Sequence, residues 1–266
     1  MLGSPRLRPM RTNHVLEGRD GAPVVTLSHS LGATLALWDA TAAALAPRFR
    51  VLRYDVRGHG ASETPSGPYT LEQMSGDVAA LLRSRGIERT HFVGMSMGGL
   101  IGMTFALAHP AMVASLTLCD TTACYGPERA PMWDERVRVA ETAGMTETLI
   151  ERTMEIWFSP EFMEKGKPVV DRVRAMLRAT DPRGYAAAIR AIGYVDLRER
   201  IRAIRTPTLV VVGENDQGTP PSMARAMAEA IPGARLEVLP GARHAAVVER
   251  ADDFNRILME FLATAR

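Results

Sequence analysis

The chain has 266 residues, of which 46% are hydrophobic and 23% are charged. These values are typical of a folded globular protein, and a chain of this length can bury a core without disulfides or structural metal ions. The 32 Lys and Arg residues nearly balance the 30 Asp and Glu residues, and the formal net charge is only +2. The sequence therefore lacks the basic field that attracts nucleic acid or an anionic membrane, and no nucleic-acid partner is expected.

Two cysteines, Cys119 and Cys124, are too few for a disulfide framework and lack the CxxC spacing of a zinc or redox site. We expect both to be free thiols and expect no metal. No apolar run approaches the roughly 18 residues that a membrane span needs, and no apolar stretch of a signal peptide follows the N-terminal arginines. A cytoplasmic protein with no membrane partner is predicted, and the sequence carries no indication of its oligomeric state.

The first 120 residues alternate short β-rich runs with longer runs of helical period. Strands are predicted at residues 24–27, 50–54, 91–94 and 115–119, and helices at residues 35–45, 71–85 and 97–108. The strand runs are apolar throughout rather than alternating, which is typical of a parallel sheet covered by helices on both faces. This pattern predicts a repeated strand, helix, strand architecture.

The pattern changes between residues 121 and 206, where helix-like segments follow one another without a convincing strand. Strand runs return at residues 208–212 and 236–239, with helices at 222–230 and 247–263. Because both flanks share one α/β pattern, we predict an α/β fold with a mostly parallel central sheet flanked by helices. Its core would comprise residues 1–120 and 207–266, and residues 121–206 would form a helical cap insertion.

The sharpest local pattern is the run of residues 94–99, GMSMGG, between a predicted strand and a predicted helix. A serine on a sharp strand-to-helix turn needs small neighbours, since a side chain at Gly94 or Gly98 would collide across the turn. The N–H groups and positive dipole end of the next helix favour negative charge beside Ser96. We therefore predict Ser96 as a nucleophile, the alternative being a glycine-rich turn with an incidental serine.

A serine hydroxyl needs a base, and the base needs an orienting carboxylate. His244 follows the last predicted strand, and Asp216 follows the strand before it. Since the carboxyl ends of parallel strands meet at one edge of a sheet, Ser96, Asp216 and His244 should converge there. Glu214 and Asp120 also follow strands and remain alternatives for the acid.

An oxyanion hole needs two N–H donors about 3 Å from the developing charge. The residue after the nucleophile, Met97, should supply one of them. The loop of residues 28–32 follows the first predicted strand, and we predict that Leu31 supplies the second donor from its backbone. Ser30 stands where a glycine is more usual, so the donor could lie one position away. Residues 55–62 are interpreted as a rigid loop beside this one.

The strings RYDVRGHGAS, GMSMGG, GENDQGTPP and GARH, in this order, resemble the α/β-hydrolase superfamily from about residue 12 to the C-terminus. Within it, the fuller strings SLGATLALWDATAAALAPRFRVLRYDVRGHGAS, PYTLEQMSGDVAALL, HFVGMSMGGLIG and LTLCDTTA are most similar to 3-oxoadipate enol-lactonases. The resemblance implies a cytoplasmic, cofactor-free enzyme that hydrolyses a small carboxylated enol-lactone. It also implies Ser96, Asp216 and His244 as catalytic triad, with Leu31 and Met97 as oxyanion donors.

Two departures bear on the substrate. Ala245 and Ala246 follow the histidine where those lactonases tend to carry polar residues, and His29 stands where they often have Asn. A promiscuous short-chain carboxylesterase is therefore the main alternative. A perhydrolase or a carbon–carbon bond hydrolase would use the same triad, and a ligand receptor on the hydrolase fold is the non-enzymatic alternative.

The predicted cap gives partial information about the pocket. Trp133 and Trp157 are candidates for lining its mouth, although tryptophans at helical spacing often only pack between cap and sheet. A carboxylated substrate would require an arginine, because a guanidinium holds a carboxylate through two hydrogen bonds. Residues 121–206 contain 15 Lys and Arg against 13 Asp and Glu, so charge alone singles out no arginine. The expected partner is a small-molecule ester or lactone.

Overall fold

The computed structural model describes residues 10–265, which form a seven-stranded sheet between layers of helices. The strands are β1 (His14–Gly18), β2 (Val24–Ser28), β3 (Arg50–Tyr54), β4 (Thr90–Met95), β5 (Val113–Cys119), β6 (Thr208–Gly213) and β7 (Arg235–Leu239). Their order across the sheet is β1-β3-β2-β4-β5-β6-β7. Only β1 runs antiparallel to its neighbour, so the mostly parallel α/β sheet predicted from the sequence is confirmed.

Eleven α-helices lie within residues 10–265. They are α1 (Asp39–Leu45), α2 (Leu71–Ser84), α3 (Met97–Ala108), α4 (Ala130–Ala143), α5 (Glu147–Trp157), α6 (Pro160–Lys165), α7 (Lys167–Ala179), α8 (Pro182–Ile192), α9 (Pro221–Ala230), α10 (Ala246–Glu249) and α11 (Ala251–Thr264). None of the helices in this part of the chain is long and apolar enough to cross a membrane.

Two apolar cores lie on opposite faces of the sheet. Phe92 of β4 packs with α2 and α3 on one face, and its neighbour Val93 packs with α1 and α11 on the other. Successive side chains of a strand point to opposite faces, so a strand covered on both sides must be apolar at every position. This explains why the central strands have continuous apolar sequences.

Some elements differ from the sequence-based expectation. Strand β1 was not predicted, because its sequence HVLEG is mixed in polarity and lies half-exposed at the edge of the sheet. The last predicted helix, at residues 247–263, is two helices that meet at Arg250. The helix predicted at residues 35–45 begins with a 3-10 turn, Leu35–Trp38.

Between β5 and β6 the chain forms α4 to α8, and α4 packs along α8. One isolated β-bridge, Cys124 to Asp196, joins the two ends of this segment. The side chains of α4, α5 and α8 include several that face the carboxyl ends of the strands. The helical segment therefore closes over the edge of the sheet where the site residues lie.

Candidate active site

Ser96 lies at the turn between β4 and α3, with a left-handed backbone (φ 52°) and a side chain that is nearly buried. A Cβ at Gly94 would lie 2.1 Å from the carbonyl oxygen of Gly98, and a Cβ at Gly98 would lie 2.2 Å from that of Ser28. Such contacts with backbone cannot be relieved by rotating a side chain, so the turn requires glycine at both positions. The geometry is that of the strand-to-helix turn predicted from GMSMGG.

The end of β5 holds this turn in place. The N–H of Ser96 donates to the carbonyl oxygen of Cys119 at 2.9 Å, and the hydroxyl of Thr121 donates to the carbonyl oxygen of Ser96 at 2.7 Å. All three residues are buried. A left-handed non-glycine residue is strained and persists only where its surroundings fix it, and these two hydrogen bonds supply that restraint.

The structure brings Ser96, His244 and Asp216 into one hydrogen-bonded chain. Nε2 of His244 lies 3.1 Å from Oγ of Ser96, and Nδ1 of His244 lies 2.9 Å from Oδ2 and 3.0 Å from Oδ1 of Asp216. The three side chains come from the loops after β4, β7 and β6 and are buried. In this arrangement the imidazole can accept the Ser96 proton while its other nitrogen stays on the carboxylate.

The carboxylate of Asp216 is held by donors on every side. Oδ1 accepts from the N–H of Gly218 at 2.7 Å and of Thr219 at 2.9 Å, and Oδ2 accepts from the Thr219 hydroxyl at 2.8 Å. Burial opposes ionisation, but the charge and hydrogen bond of His244 and the donors of Thr219 outweigh it, so the pKa of Asp216 lies below its usual value. Asp216 is therefore ionised at neutral pH.

The two alternative acids occupy other places. Oε2 of Glu214 accepts from the N–H of Gly241 at 2.9 Å and lies at the exposed surface of the turn. Oδ1 of Asp120 accepts from the N–H of Gly213 at 2.9 Å. Burial, together with the nearby charge of Asp216, raises the pKa of Asp120 well above its usual value. Of the three candidate acids, Asp216 is the one that is hydrogen-bonded to His244.

The predicted oxyanion donors flank the serine. Met97 is the first residue of α3, where a backbone N–H has no partner within the helix. Leu31 lines the same cavity as Ser96. His29 in the same loop faces elsewhere, since its Nε2 accepts from the N–H of Val56 at 2.9 Å. Burial lowers the pKa of His29, so this histidine is neutral and serves the loop rather than the nucleophile.

The cavity at Ser96 is small, about 70 Å³. Leu31, Ser96 and His244 form its floor from the sheet side, and residues of α4, α5 and α8 form its walls. Trp133 of α4 and Trp157 of α5, the two tryptophans predicted at the pocket, both line it. The Trp157 ring lies 6.4 Å from the His244 ring, centroid to centroid. Across residues 10–265, no cluster of three or more His, Cys, Asp or Glu side chains could hold a metal ion.

Residues 23–251 match a protein family described as alpha/beta hydrolase fold. The chain belongs to this family. A curated relative, 3-oxoadipate enol-lactonase 2 of Acinetobacter baylyi, is 33% identical over 91% of this chain and 90% of its own length. The sequence-based resemblance to the superfamily and to enol-lactonases is thereby confirmed.

Solved structures of the alpha/beta hydrolase family agree with the fold. The enol-lactonase from Burkholderia xenovorans LB400 superposes with a TM-score of 0.91 at 40% identity, covering 96% of this chain and 97% of that one. A thermophilic esterase from Thermogutta terrifontis, malate bound, has a TM-score of 0.90 at 28% identity, covering 96% and 94%. The chain is thus an alpha/beta hydrolase similar to lactonases and esterases.

Two arginines on the wall of the hydrolase cavity, Arg129 and Arg136, were not singled out by the sequence. Both are half-buried, and within residues 10–265 neither forms an ion pair with a carboxylate. Arg129 lies 3.5 Å from the carbonyl oxygen of Gln217, and the Arg136 guanidinium lies over the Trp133 ring. Most other arginines of residues 121–206 are paired with Asp or Glu, among them Arg138, Arg174, Arg178, Arg183, Arg190 and Arg198.

Sequence analysis also missed Tyr125 and Thr219. Tyr125 lies in the loop between β5 and α4 and lines the cavity beside Ser96. Thr219 donates to the Asp216 carboxylate and lies 3.3 Å from Nδ1 of His244. Neither residue stands in a local pattern that marks a site. The available signal was position alone, since each follows a strand at the edge where the nucleophile lies.

Proposed function

We propose that this alpha/beta hydrolase is a serine hydrolase that cleaves a small, carboxylate-bearing ester or lactone through an acyl-enzyme, as an enol-lactonase-like enzyme. His244 takes the proton from Oγ of Ser96, which attacks the acyl carbon. The oxyanion accepts hydrogen bonds from the N–H groups of Met97 and Leu31. His244 then protonates the leaving oxygen, and water releases the acyl group by the same steps.

The observation that carries the proposal is the continuous hydrogen-bonded chain from Ser96 through His244 to Asp216 at the floor of a cavity. A serine whose Oγ lies 3.1 Å from Nε2 of a histidine can lose its proton to that nitrogen as it attacks. The ionised Asp216 favours the imidazolium that this transfer creates. No cofactor enters any of these steps.

The charges of the cavity support an anionic substrate. A half-buried guanidinium without a carboxylate partner is costly to keep desolvated, and a bound carboxylate would remove that cost. Arg129 and Arg136 provide two such groups on one wall. Malate is present in the related thermophilic esterase, and it too carries carboxylates. The cavity of about 70 Å³ lies far below the 300 to 1,000 Å³ of ordinary ligand sites and favours a small molecule.

A short-chain carboxylesterase is the second candidate, and a groove favours it. Between α4 and α5 lies a more open groove of about 610 Å³, with Val139 and Leu149 among its apolar residues. It shares Met132, Arg136 and Ile156 with the cavity at Ser96. The apolar acyl arm of a simple ester could extend from the cavity into this groove, which a compact lactone would not need.

Two lactones with the same ring and different substituents distinguish the lactonase from the carboxylesterase. One is 3-oxoadipate enol-lactone, and the other is the neutral enol-lactone with a methyl group in place of the carboxymethyl group. We expect kcat/KM for the anionic lactone to exceed that for the neutral lactone and for p-nitrophenyl butyrate by roughly 100-fold. Equal rates for both lactones, with faster p-nitrophenyl ester hydrolysis, would favour the carboxylesterase instead.

Variants at the arginines give the matched control. Arg136→Gln and Arg129→Gln should each lower kcat/KM for the anionic lactone by about tenfold or more and leave the neutral lactone nearly unaffected, since the lost partner is a charge. Arg138→Gln, on the same helix but paired with the exposed Glu135, should change neither. A fluorophosphonate that fails to label Ser96 would favour the non-enzymatic receptor.

The predicted domain division, with residues 121–206 as a cap, is part of this proposal. It draws support from α4, α5 and α8, which wall the cavity over Ser96. A variant that lacks residues 127–192 should therefore hydrolyse different esters at similar rates and should not prefer the anionic lactone. The predicted cytoplasmic location stays a prediction.

A further inference from the structure

The last turn of α5 is bonded to the loop that carries His244. A helix leaves its last four carbonyl groups without partners inside the helix. In α5 the first of these, that of Met154, accepts from the N–H of Phe158 at 3.0 Å. The other three accept, in register, from consecutive residues of the loop after β7: Glu155 from the Arg243 guanidinium, Ile156 from the His244 N–H at 3.4 Å, and Trp157 from the Ala245 N–H at 2.9 Å. The carbonyl groups of the helix end and the donors of the loop therefore satisfy one another.

A carboxylate joins the same two segments a second time. Oε2 of Glu249 accepts from the N–H of Arg243 at 3.1 Å and from the N–H of Ser159 at 3.3 Å. Oε1 of Glu249 accepts from the Ser159 hydroxyl. Ser159 lies between α5 and α6, and Arg243 directly precedes His244 in the chain. Glu249 thus fastens the end of α5 to the residue before the histidine.

The position of the histidine depends on this junction because of where its loop lies. The loop follows β7, which is an edge strand and has a neighbouring strand on one side only. Nε2 of His244 lies 3.1 Å from Oγ of Ser96, and a displacement of about 1 Å between reacting groups can cost on the order of 100-fold in rate. Ile156 and Trp157, whose carbonyl groups hold the loop, also line the cavity. The wall of the cavity and the histidine are therefore held by the same two residues.

We propose that the end of α5 fixes His244 opposite Ser96, and that Glu249 and Arg243 are positioning residues for the proposed reaction. The inference rests on the proposed acyl-enzyme mechanism, in which His244 moves a proton during both acylation and deacylation. Glu249 and Arg243 transfer no proton and act only through the place in which they hold the histidine. Loosening the junction should therefore slow both steps by a similar factor, so that kcat and kcat/KM fall together while KM stays the same.

The test is Glu249→Met, which keeps the length of the side chain and removes both acceptor oxygens. With p-nitrophenyl acetate we expect kcat and kcat/KM to fall together by about tenfold or more, with KM within about twofold of the wild type. Glu249→Gln should keep kcat within about threefold of the wild type, because its amide oxygen can take the place of Oε2 and accept from both N–H groups.

Glu151→Met is the matched control, since it removes a carboxylate from the same helix. Oε1 of Glu151 accepts from the Arg174 guanidinium at 2.6 Å, and Arg174 lies on α7. Loss of this contact should lower the melting temperature, but it should leave kcat within about twofold of the wild type because the contact does not involve the histidine loop.

Any of four results would overturn the inference. These are an unchanged kcat in Glu249→Met, a rise in KM that accounts for its loss of kcat/KM, an equal loss of kcat in Glu151→Met, and a Glu249→Gln protein as slow as Glu249→Met. Should Glu249→Met fail to fold, Arg243→Met tests the same junction, because it removes the guanidinium that donates to the end of α5. Its kcat should fall severalfold at unchanged KM, and an unchanged kcat would refute the positioning role.

The wild-type protein separates this inference from the proposed function. A wild type that neither hydrolyses the ester nor labels with a fluorophosphonate at Ser96 overturns both together. A wild type that is active and labelled confines any failure to the junction between α5 and the histidine loop.

Discussion

Replacing Asp216 with Asn should inactivate the hydrolase without unfolding it, through the tautomer of His244. Oδ1 of Asp216 faces two backbone N–H groups, so the amide oxygen of an asparagine would take that place. Its NH2 group would then stand where Oδ2 now accepts from the Thr219 hydroxyl and faces Nδ1 of His244. To meet this donor, Nδ1 must become an acceptor.

The size of the loss follows from that exchange. With its proton moved to Nε2, the imidazole can no longer accept the proton of Ser96, and the negative charge that favours imidazolium is gone. We expect kcat/KM for p-nitrophenyl acetate to fall about 10³- to 10⁴-fold, which corresponds to roughly 4 to 5.5 kcal/mol of transition-state stabilisation.

Glu214→Gln and Asp120→Asn are the matched controls, because each changes a carboxyl group that also follows a strand. Glu214 is exposed. Burial raises the pKa of Asp120 well above its usual value, and an asparagine keeps an oxygen that can accept from the N–H of Gly213. Both variants should keep kcat/KM within about fivefold of the wild type, and all three should unfold cooperatively. The assignment of Asp216 fails if its variant keeps more than a tenth of the activity, or if a control loses as much.

Three further predictions concern the supports of the site. Gly98→Ala places a Cβ 2.2 Å from the Ser28 carbonyl oxygen, so we expect a lower melting temperature and a loss of activity above roughly 100-fold, and a variant with wild-type melting would contradict this. Thr121→Val removes the 2.7 Å hydrogen bond to the Ser96 carbonyl oxygen and should lower kcat several-fold, whereas Thr121→Ser should restore it; equal activity of the two variants would argue against the restraint. Burial raises the pKa of Tyr125 to about 12 in the folded protein, against about 10 in the unfolded chain. The free energy of unfolding should therefore decline between these pH values, by at most about 1.4 kcal/mol per pH unit from this group. The Tyr125→Phe protein should show a shallower decline in denaturant titrations, and parallel slopes would refute the burial of the phenol.

The sequence predicted the elements whose signals are local and strong. The central strands are apolar at every position because both of their faces are covered, and α3 was predicted with its observed bounds because GMSMGG marks its start and Pro110 follows its end. Strand β1 escaped prediction because an edge strand needs no continuous apolar run. The break at Arg250 escaped because helical spacing continues across it.

For the site, the sequence alone determined the turn that carries Ser96 and the order of the strand ends that carry Asp216 and His244, because the glycine-rich turn and the strands are marked by patterns of residues adjacent in the chain. Only the tertiary structure decided which acid bonds to His244 and which of the 15 basic residues within residues 121–206 face the cavity. It also placed Tyr125 in the wall of the cavity that contains Ser96. These contacts join residues far apart in the chain, and their distances depend on how helices pack over the sheet, which local propensity does not encode.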